Sequence, residues 1–492
     1  RLCENSLPNW QNNRDMARGY FFMRHLEGTP RSQTLLLPPS VEDYVPEDHP
    51  VRVIDAFVDS LNLSEMGFRK AQTAHTGRRP YHPGDLLKLY IYAYLNQTTS
   101  TRRLEKECHR NLEVLWLMKQ LAPDFKTIAD FRKENGDAIK KVCRQFLVFC
   151  KQAGLVSGQL VAIDGSKFKA AASKDQAVTR KQLEKQLGQL DQKIDRYLAQ
   201  LAASEQDGDP ELNTDKVSEA LAYLEAHKAE LQDELKTLVD EDKTQHCRTE
   251  PDARLMKSGR EGMVVGYNAQ NAVDEAHQLI VHHELTQAGN DNQQLKPIAQ
   301  DARDVLEGEL GTIVADAGYS NGQQISDLHS SEYDVAVPSN RAVNNQGAGG
   351  HFQKSDFTYL PEEDAYRCPA GKRLPHKTVS NKDRMHLYAR SGCNQCPLQS
   401  QCTKADRRWV SRHFDEEALD RADNSATPER MIRRMATVEP TFATLKRLLN
   451  KGRFTCWGLG SASSEYSLGV LSYNLMRAIN VLGVKTMLAR LA

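Results

Sequence analysis

No stretch of this 492-residue chain approaches the roughly 18 apolar residues that a membrane-spanning helix needs, so no membrane partner is expected. No secretory leader is expected either, because residues 1–23 have no sustained apolar core. The chain does not begin with Met, and residues 1–36 are expected to be a disordered or non-native leader. Net charge is also absent, since 65 Lys and Arg balance 65 Asp and Glu. That excludes a uniformly basic protein but not a locally basic one. Residues 181–243 carry sixteen acidic and eight basic side chains, a net of −8, which leaves +8 on the remainder. A basic body with one acidic segment set apart is compatible with phosphate binding. Cysteine is sparse outside one cluster. Cys3, Cys108, Cys143, Cys150, Cys247 and Cys456 are scattered, as expected of reduced thiols in a cytoplasmic protein.

What is present points to a globular protein with a proper core. Hydrophobic residues make up 39 % and charged residues 26 %, and the length allows two to four domains. An apolar run predicts a helix over 51–61. A polar, basic loop over 70–80 follows. Pro83 then opens a strong helix in which Leu86, Leu87, Tyr90, Ile91, Tyr94 and Leu95 recur at the spacing of a one-sided helix. Further helices are expected after Thr101 with Arg102, Arg103, Lys106 and Arg110, over 127–135 with Arg132 and Lys133, and over 137–153. Residues 50–155 thus read as all-helical with basic faces. Beyond them Leu160–Ile163 reads as a strand ending in Asp-Gly. Near-heptad Leu183, Leu187, Leu190, Ile194 and Leu198, a polar break over 204–215 and a second apolar stretch over 217–239 read as an antiparallel helical hairpin. A dimerising coiled-coil arm is the alternative. Strands are expected over 263–272, 277–285, 311–315 and 334–338, and helices over 291–306 and 321–329. Residues 340–425 read as irregular, 428–449 as a basic helix and 465–490 as a final helix. Such alternation indicates an α/β domain.

Three carboxylates stand out. Asp164 ends the strand LVAID and enters the turn Gly165-Ser166-Lys167; Asp316 ends TIVAD and enters Ala317-Gly318-Tyr319. The carboxyl ends of strands are where α/β sheets bind ligands, and a neighbouring Gly lets the backbone turn sharply. Asp is also common at strand ends for its turn preference alone. Glu439 lies on the predicted basic helix, seven residues before Lys446, so the two share a face. A solvated Glu and Lys on an ordinary helix is the plainer alternative. Carboxylates in this number suit phosphodiester chemistry, in which two Mg²⁺ ions about 3.5–4 Å apart act on the attacking and leaving oxygens. Lys446, Arg447 and Lys451 are candidates to hold nearby phosphates.

Five segments together resemble the DDE transposases of bacterial insertion sequences, in the group whose third carboxylate lies in a Tyr-Arg-Glu-Lys signature helix. They are AIDGSKF around Asp164, VADAGYSN around Asp316, VEPTFATLK around Glu439 and Lys446, RPYHPGDLLKLYIYAYLN, and EPDARLMKSGREGMVVGYNAQNAVD. The resemblance spans about residues 35–480. It implies an all-α DNA-binding domain (37–155) before an α/β RNase H-like catalytic domain (156–338 and 426–492). That domain is interrupted by the helical hairpin (178–243) and a Cys-containing insertion (339–425). It implies Asp164, Asp316 and Glu439 as catalytic Mg²⁺ ligands, two ions with Mn²⁺ as a substitute, and Lys446 as a phosphate contact. Arg102 and Arg103 become DNA-contact candidates. The signature Arg belongs four positions before the Glu, where this chain has Met435; Arg434, one position earlier, is the substitute. No Tyr stands at the expected place. The implied partners are transposon-end and target DNA, bound as a homodimer, in the bacterial cytoplasm near the nucleoid. A decayed or domesticated DNA-binding relative is the alternative, and a simple RNase H-like nuclease another.

Cys368, Cys393, Cys396 and Cys402 fall within 35 positions, with 24, two and five residues between successive cysteines. Four thiolates can hold structural Zn²⁺. Unpaired or redox thiols and an iron–sulfur cluster are the alternatives, and Lys404, Arg407 and Arg408 nearby could make the insertion contact DNA.

Overall fold

A computed structural model describes residues 40–72, 79–207, 214–259, 261–339 and 351–492. The expected leader lies outside the described residues, as do 73–78 of the basic loop, 208–213 of the hairpin break and 340–350 of the Cys-containing segment.

Among the described residues six α-helices come first: α1 (Pro50–Asp59), α2 (Pro83–Leu95), α3 (Thr101–Arg110), α4 (Leu112–Leu117), α5 (Phe125–Glu134) and α6 (Gly136–Gln152). Local chemistry sets their starts. α1 and α2 each have Pro in the first turn, and the His49 and His82 rings accept the Val51 and Gly84 amides. Asp124 caps α5 by accepting from the Lys126 and Thr127 amides.

The remainder comprises β1 (Leu160–Lys169), β2 (Ala177–Thr179), α7 (Arg180–Asp207), α8 (Thr214–Asp240), β3 (Gln245–Cys247), β4 (Arg254–Ser258), β5 (Gly262–Asp274), β6 (Ile280–Thr286), α9 (Leu295–Val305), β7 (Thr312–Val314), α10 (Gly322–Ser330) and β8 (Asp334–Ala336). After these come β9 (Thr358–Leu360), β10 (Ala365–Arg367), β11 (Arg373–Ser380), β12 (Met385–Ser391), β13 (Arg407–His413), α11 (Glu416–Ser425), α12 (Pro428–Leu448), α13 (Leu459–Leu482) and α14 (Val484–Leu491).

The central sheet runs β4-β5-β1-β7-β8, with β6 also on β5. β5 is antiparallel to β1, β4 and β6, whereas β1, β7 and β8 are parallel. Alternation along β1 gives the sheet two buried faces. Leu160 and Ala162 join the core shared with the N-terminal helices, α12 and α13. Val161 and Ile163 join the core under α9, α10 and α11.

Four sequence expectations are corrected. First, α2 is not one-sided: residues 83–94 are all buried, because α1, α4, α5 and α13 surround it. Second, Arg132 does not belong to a basic solvent face. It is 6 % exposed, and its Nη1 lies 3.7 Å from the Glu465 carboxylate on α13. Third, residues 351–425 are not irregular. β9 to β13 form a five-stranded antiparallel meander around Phe357, Tyr366, Leu374, Tyr388 and Val410. Its packing relies on aromatic rings and guanidinium groups, such as Arg412 at 4.2 Å from the Tyr359 ring, and so carries little aliphatic alternation. Fourth, the C-terminal helix breaks at Gly483, whose φ of +76° suits glycine.

α7 and α8 pack antiparallel through Leu183, Leu190, Leu231 and Leu238. The Arg180 guanidinium donates to the Leu238 carbonyl at 2.7 Å, and Lys228 pairs with Asp191 at 2.6 Å. No described helix is long and apolar enough to cross a membrane.

Candidate active site

β1 does not stop at Asp164. It continues to Lys169, with Asp164 opposite Asn271 and Gly165 opposite Gln270 on β5. The expected turn at Gly165 is therefore absent, and its lack of a side chain has another cause. A Cβ there would lie 2.3 Å from Gln270 Nε2 and 2.6 Å from Asp291 Oδ1. Gly165 makes room for side chains beneath the strand. Asp316 does sit where a strand gives way to a turn: its Oδ1 accepts the Gly318 amide at 2.9 Å, just beyond β7.

By strand parity Asp164 faces α12, and α12 answers with Arg434. The Arg434 side chain is 9 % exposed, and its Nη2 lies 3.0 Å from Asp164 Oδ1 and 3.5 Å from Asp316 Oδ2. Two carboxylates from adjacent parallel strands thus converge on one cationic nitrogen. Arg434 Nε is buried without a hydrogen-bond partner, so the guanidinium is held by these charges rather than by a complete donor network. Burial pushes the Asp164 carboxyl up to about 6; Arg434 opposes the rise, and the Asp316 and Asp291 carboxylates add to it.

Glu439 lies on the same helix but is exposed. The buried stripe of α12 is Arg434, Thr437, Val438, Thr441, Phe442, Leu445 and Leu448. The oxygens of Asp164, Asp316 and Glu439 do not all lie within 4.8 Å of one another. Lys446, two turns beyond Glu439, is half-buried with its Nζ 5.7 Å from the Phe168 ring centroid. Burial lowers its pKa, aided by Lys169 and opposed by Glu261 and Asp164. Arg447 and Lys451 are exposed nearby. Arg102 and Arg103 are on α3. Arg102 stacks on Phe125 and lines a different pocket, with Lys133 and Trp457.

The aspartate pair fits a divalent cation by donor chemistry: hard carboxylate oxygens from two strands already share one positive charge. Glu439 is exposed on α12 and does not form a three-residue ligand cluster with the pair.

Sequence reasoning missed Asp291, in the loop between β6 and α9. Its Oδ1 accepts from Asn268 and Gln270, each at 2.7 Å, and lies 3.3 Å from Lys167 Nζ. Tyr319, three residues after Asp316, donates to the Gln270 side-chain oxygen Oε1. This network underlies Gly165 on the opposite face of β1 from Asp164. No spacing signal marks a single Asp in such a loop. Asp291→Ala strips one acceptor from three donors, and we expect a loss of about 1–3 kcal/mol. Urea unfolding of the variant and wild type checks this, and an unchanged midpoint contradicts it.

Residues 39–134 match the family model described as a transposase domain (DUF772), and residues 367–479 match that described as a transposase DDE domain. The first covers α1 to α5 and the second includes the four clustered cysteines, Arg434 and Glu439. Asp164 and Asp316 lie between the matched regions. No curated protein matches. Among solved structures, the cryo-EM structure of a piggyBac transposase synaptic complex with hairpin DNA aligns at 10 % identity over 90 % of this chain and 79 % of that one. Its TM-score is 0.32. Along the one chain, the match to a transposase domain (DUF772) precedes the match to a transposase DDE domain.

Proposed function

We propose that this protein is a metal-dependent DNA transposase that cleaves at transposon ends and joins the freed strand to target DNA. The observation that carries the reading is the Asp164–Arg434–Asp316 junction, built from two adjacent parallel strands and the helix that bears Glu439. The strand order of three antiparallel strands followed by two parallel ones supports an RNase H-like catalytic domain. The helical region matched over 39–134 supports a dedicated DNA reader before it.

Asp164 and Asp316, with Glu439 as the third ligand, would hold the Mg²⁺ or Mn²⁺ ions. Bound there, the ions supply activation of the attacking oxygen and stabilisation of the leaving one. The chain's own groups do the rest. Arg434 balances the two aspartates until phosphate enters. Lys446, Arg447 and Lys451 hold the DNA backbone on the α12 side, and Arg102 and Arg103 hold it on the helical side. A water oxygen attacks the scissile phosphorus and releases a 3′-hydroxyl; that hydroxyl then attacks a target phosphodiester. Pairing two ends calls for a homodimer.

The test uses labelled DNA bearing the terminal inverted repeats that flank the coding region, with Mg²⁺. Nicks confined to the repeat ends are expected. End-specific binding without cutting in either Mg²⁺ or Mn²⁺ would favour the decayed DNA-binding alternative.

A further inference from the structure

The cysteines serve no purpose in the phosphoryl-transfer site. In sequence they have 24, two and five residues between them, but the meander gathers them. Cys368 follows β10, in the turn that leads to β11. Cys393 and Cys396 follow β12, and Cys402 precedes β13. All four line one pocket, together with Phe352, Phe357 and Leu374. Each is half-buried and none is disulfide-bonded.

Tight turns carry Cys368, Cys393 and Cys396. The Lys372 amide donates to Cys368 Sγ at 3.3 Å, and the Gly371 amide returns to the Cys368 carbonyl at 2.8 Å. Gly392, at φ +76°, precedes a tight turn in which the Cys396 amide reaches the Cys393 carbonyl. In the first turn the Lys372 amide thus faces the Cys368 sulfur, which favours a thiolate there. Burial pushes the Cys402 thiol up; Arg408 opposes the rise, while the other three thiols add to it. Four sulfurs therefore compete for one electrostatic environment, with Arg408, Arg390 and Lys372 around it.

The sulfurs are not drawn fully together, for no three lie within 4.8 Å of one another. A tetrahedral site with Zn–S bonds of about 2.3 Å would bring them to about 3.8 Å. All four cysteines lie in the connections, outside the strands.

We propose that Cys368, Cys393, Cys396 and Cys402 bind one structural Zn²⁺ that ties the β10–β11 turn to the β12–β13 connection. Binding converts thiols to thiolates and releases their protons to solvent. The resulting complex carries −2, which the three flanking cations offset. The ion locks the meander, and with it the connection from Asp316 to Glu439, so it shapes the catalytic domain without entering its chemistry.

The test uses full-length protein purified under reducing conditions. Elemental analysis should give about one zinc per chain, falling at least fivefold in Cys396→Ser. Should that variant fail to fold, cobalt decides the matter. Wild-type protein stripped of metal and titrated with Co²⁺ should develop a thiolate-to-cobalt charge-transfer band that saturates at one equivalent. Folded, reduced wild type that lacks zinc and yields no such band would overturn the proposal, as would bound iron with sulfide in place of zinc. None of these readouts depends on DNA cleavage, so a failed transposase assay leaves the zinc test intact.

Discussion

Asp164→Asn and Asp316→Asn are each expected to lower metal-dependent cleavage by about 10³-fold or more while leaving affinity for end DNA nearly unchanged. Loss of several kcal/mol of metal-supplied charge stabilisation corresponds to that factor. Each aspartate supplies an oxygen to the junction at Arg434 Nη2, and neither replacement removes a phosphate-binding cation. Single-turnover cleavage and a gel-shift titration, run on the same preparations, separate the two effects. Asp164 carries a second consequence. Its carboxyl is pushed up to about 6, chiefly by burial, from an unfolded value near 3.9. A carboxyl raised on folding favours the native state in its neutral form. Its ionisation therefore withdraws stability as pH rises between about 4 and 6. In metal-free protein at pH 7 the neutral Asp164→Asn should thus be more stable than wild type, by roughly 1–3 kcal/mol. A variant that is inactive yet harder to unfold is the expected pattern; one that is inactive because it unfolds would contradict it.

The second large effect lies away from the chemistry. Glu465→Ala is expected to destabilise the protein by about 3–5 kcal/mol, because it leaves Arg132 buried without its counter-charge. Glu465 is fully buried on α13 and accepts from the Thr455 and Cys456 amides at 3.0 and 3.3 Å. Arg132, on α5, also donates to Tyr94 Oη on α2 at 3.0 Å. One ion pair thus fastens the helical N-terminal region to the C-terminal helix that underlies the sheet. Replacing both partners with apolar residues, as in Arg132→Met with Glu465→Leu, should cost less than either truncation alone. A double-mutant cycle followed by urea unfolding measures that coupling. Additive losses would show that the pair does not act as a unit.

What could be read from the sequence, and what could not, follows from the range of the forces involved. α1, α2 and α6 were legible because capping and apolar spacing are local. Asp316 was legible for the same reason, since a strand, a carboxylate and a glycine-containing turn lie within eight residues. Gly165 misled because a glycine after Asp reads as a turn, whereas its role is set by Gln270 and Asp291, distant in sequence. Arg132 looked like surface because its partner is more than 300 residues away. The meander escaped notice because Phe357, Tyr366 and Tyr388 make up most of its core, where strand reading relies on alternating aliphatics. Arg434 was found only as a displaced member of a signature, and its place between the aspartates came from the packing of α12 on the sheet. Glu439 stays the least anchored of the three carboxylates: it shares α12 with Arg434 but is exposed.

The central claim is that Asp164 and Asp316 hold divalent metal for DNA cleavage. Counting Mn²⁺ on the DNA-bound protein, from the loss of the free-ion electron paramagnetic resonance signal, tests it most directly. Up to two ions per chain are predicted for wild type, and none at these sites for the Asp164→Asn/Asp316→Asn double variant at equal DNA occupancy. Equal Mn²⁺ binding by the two proteins would contradict the account.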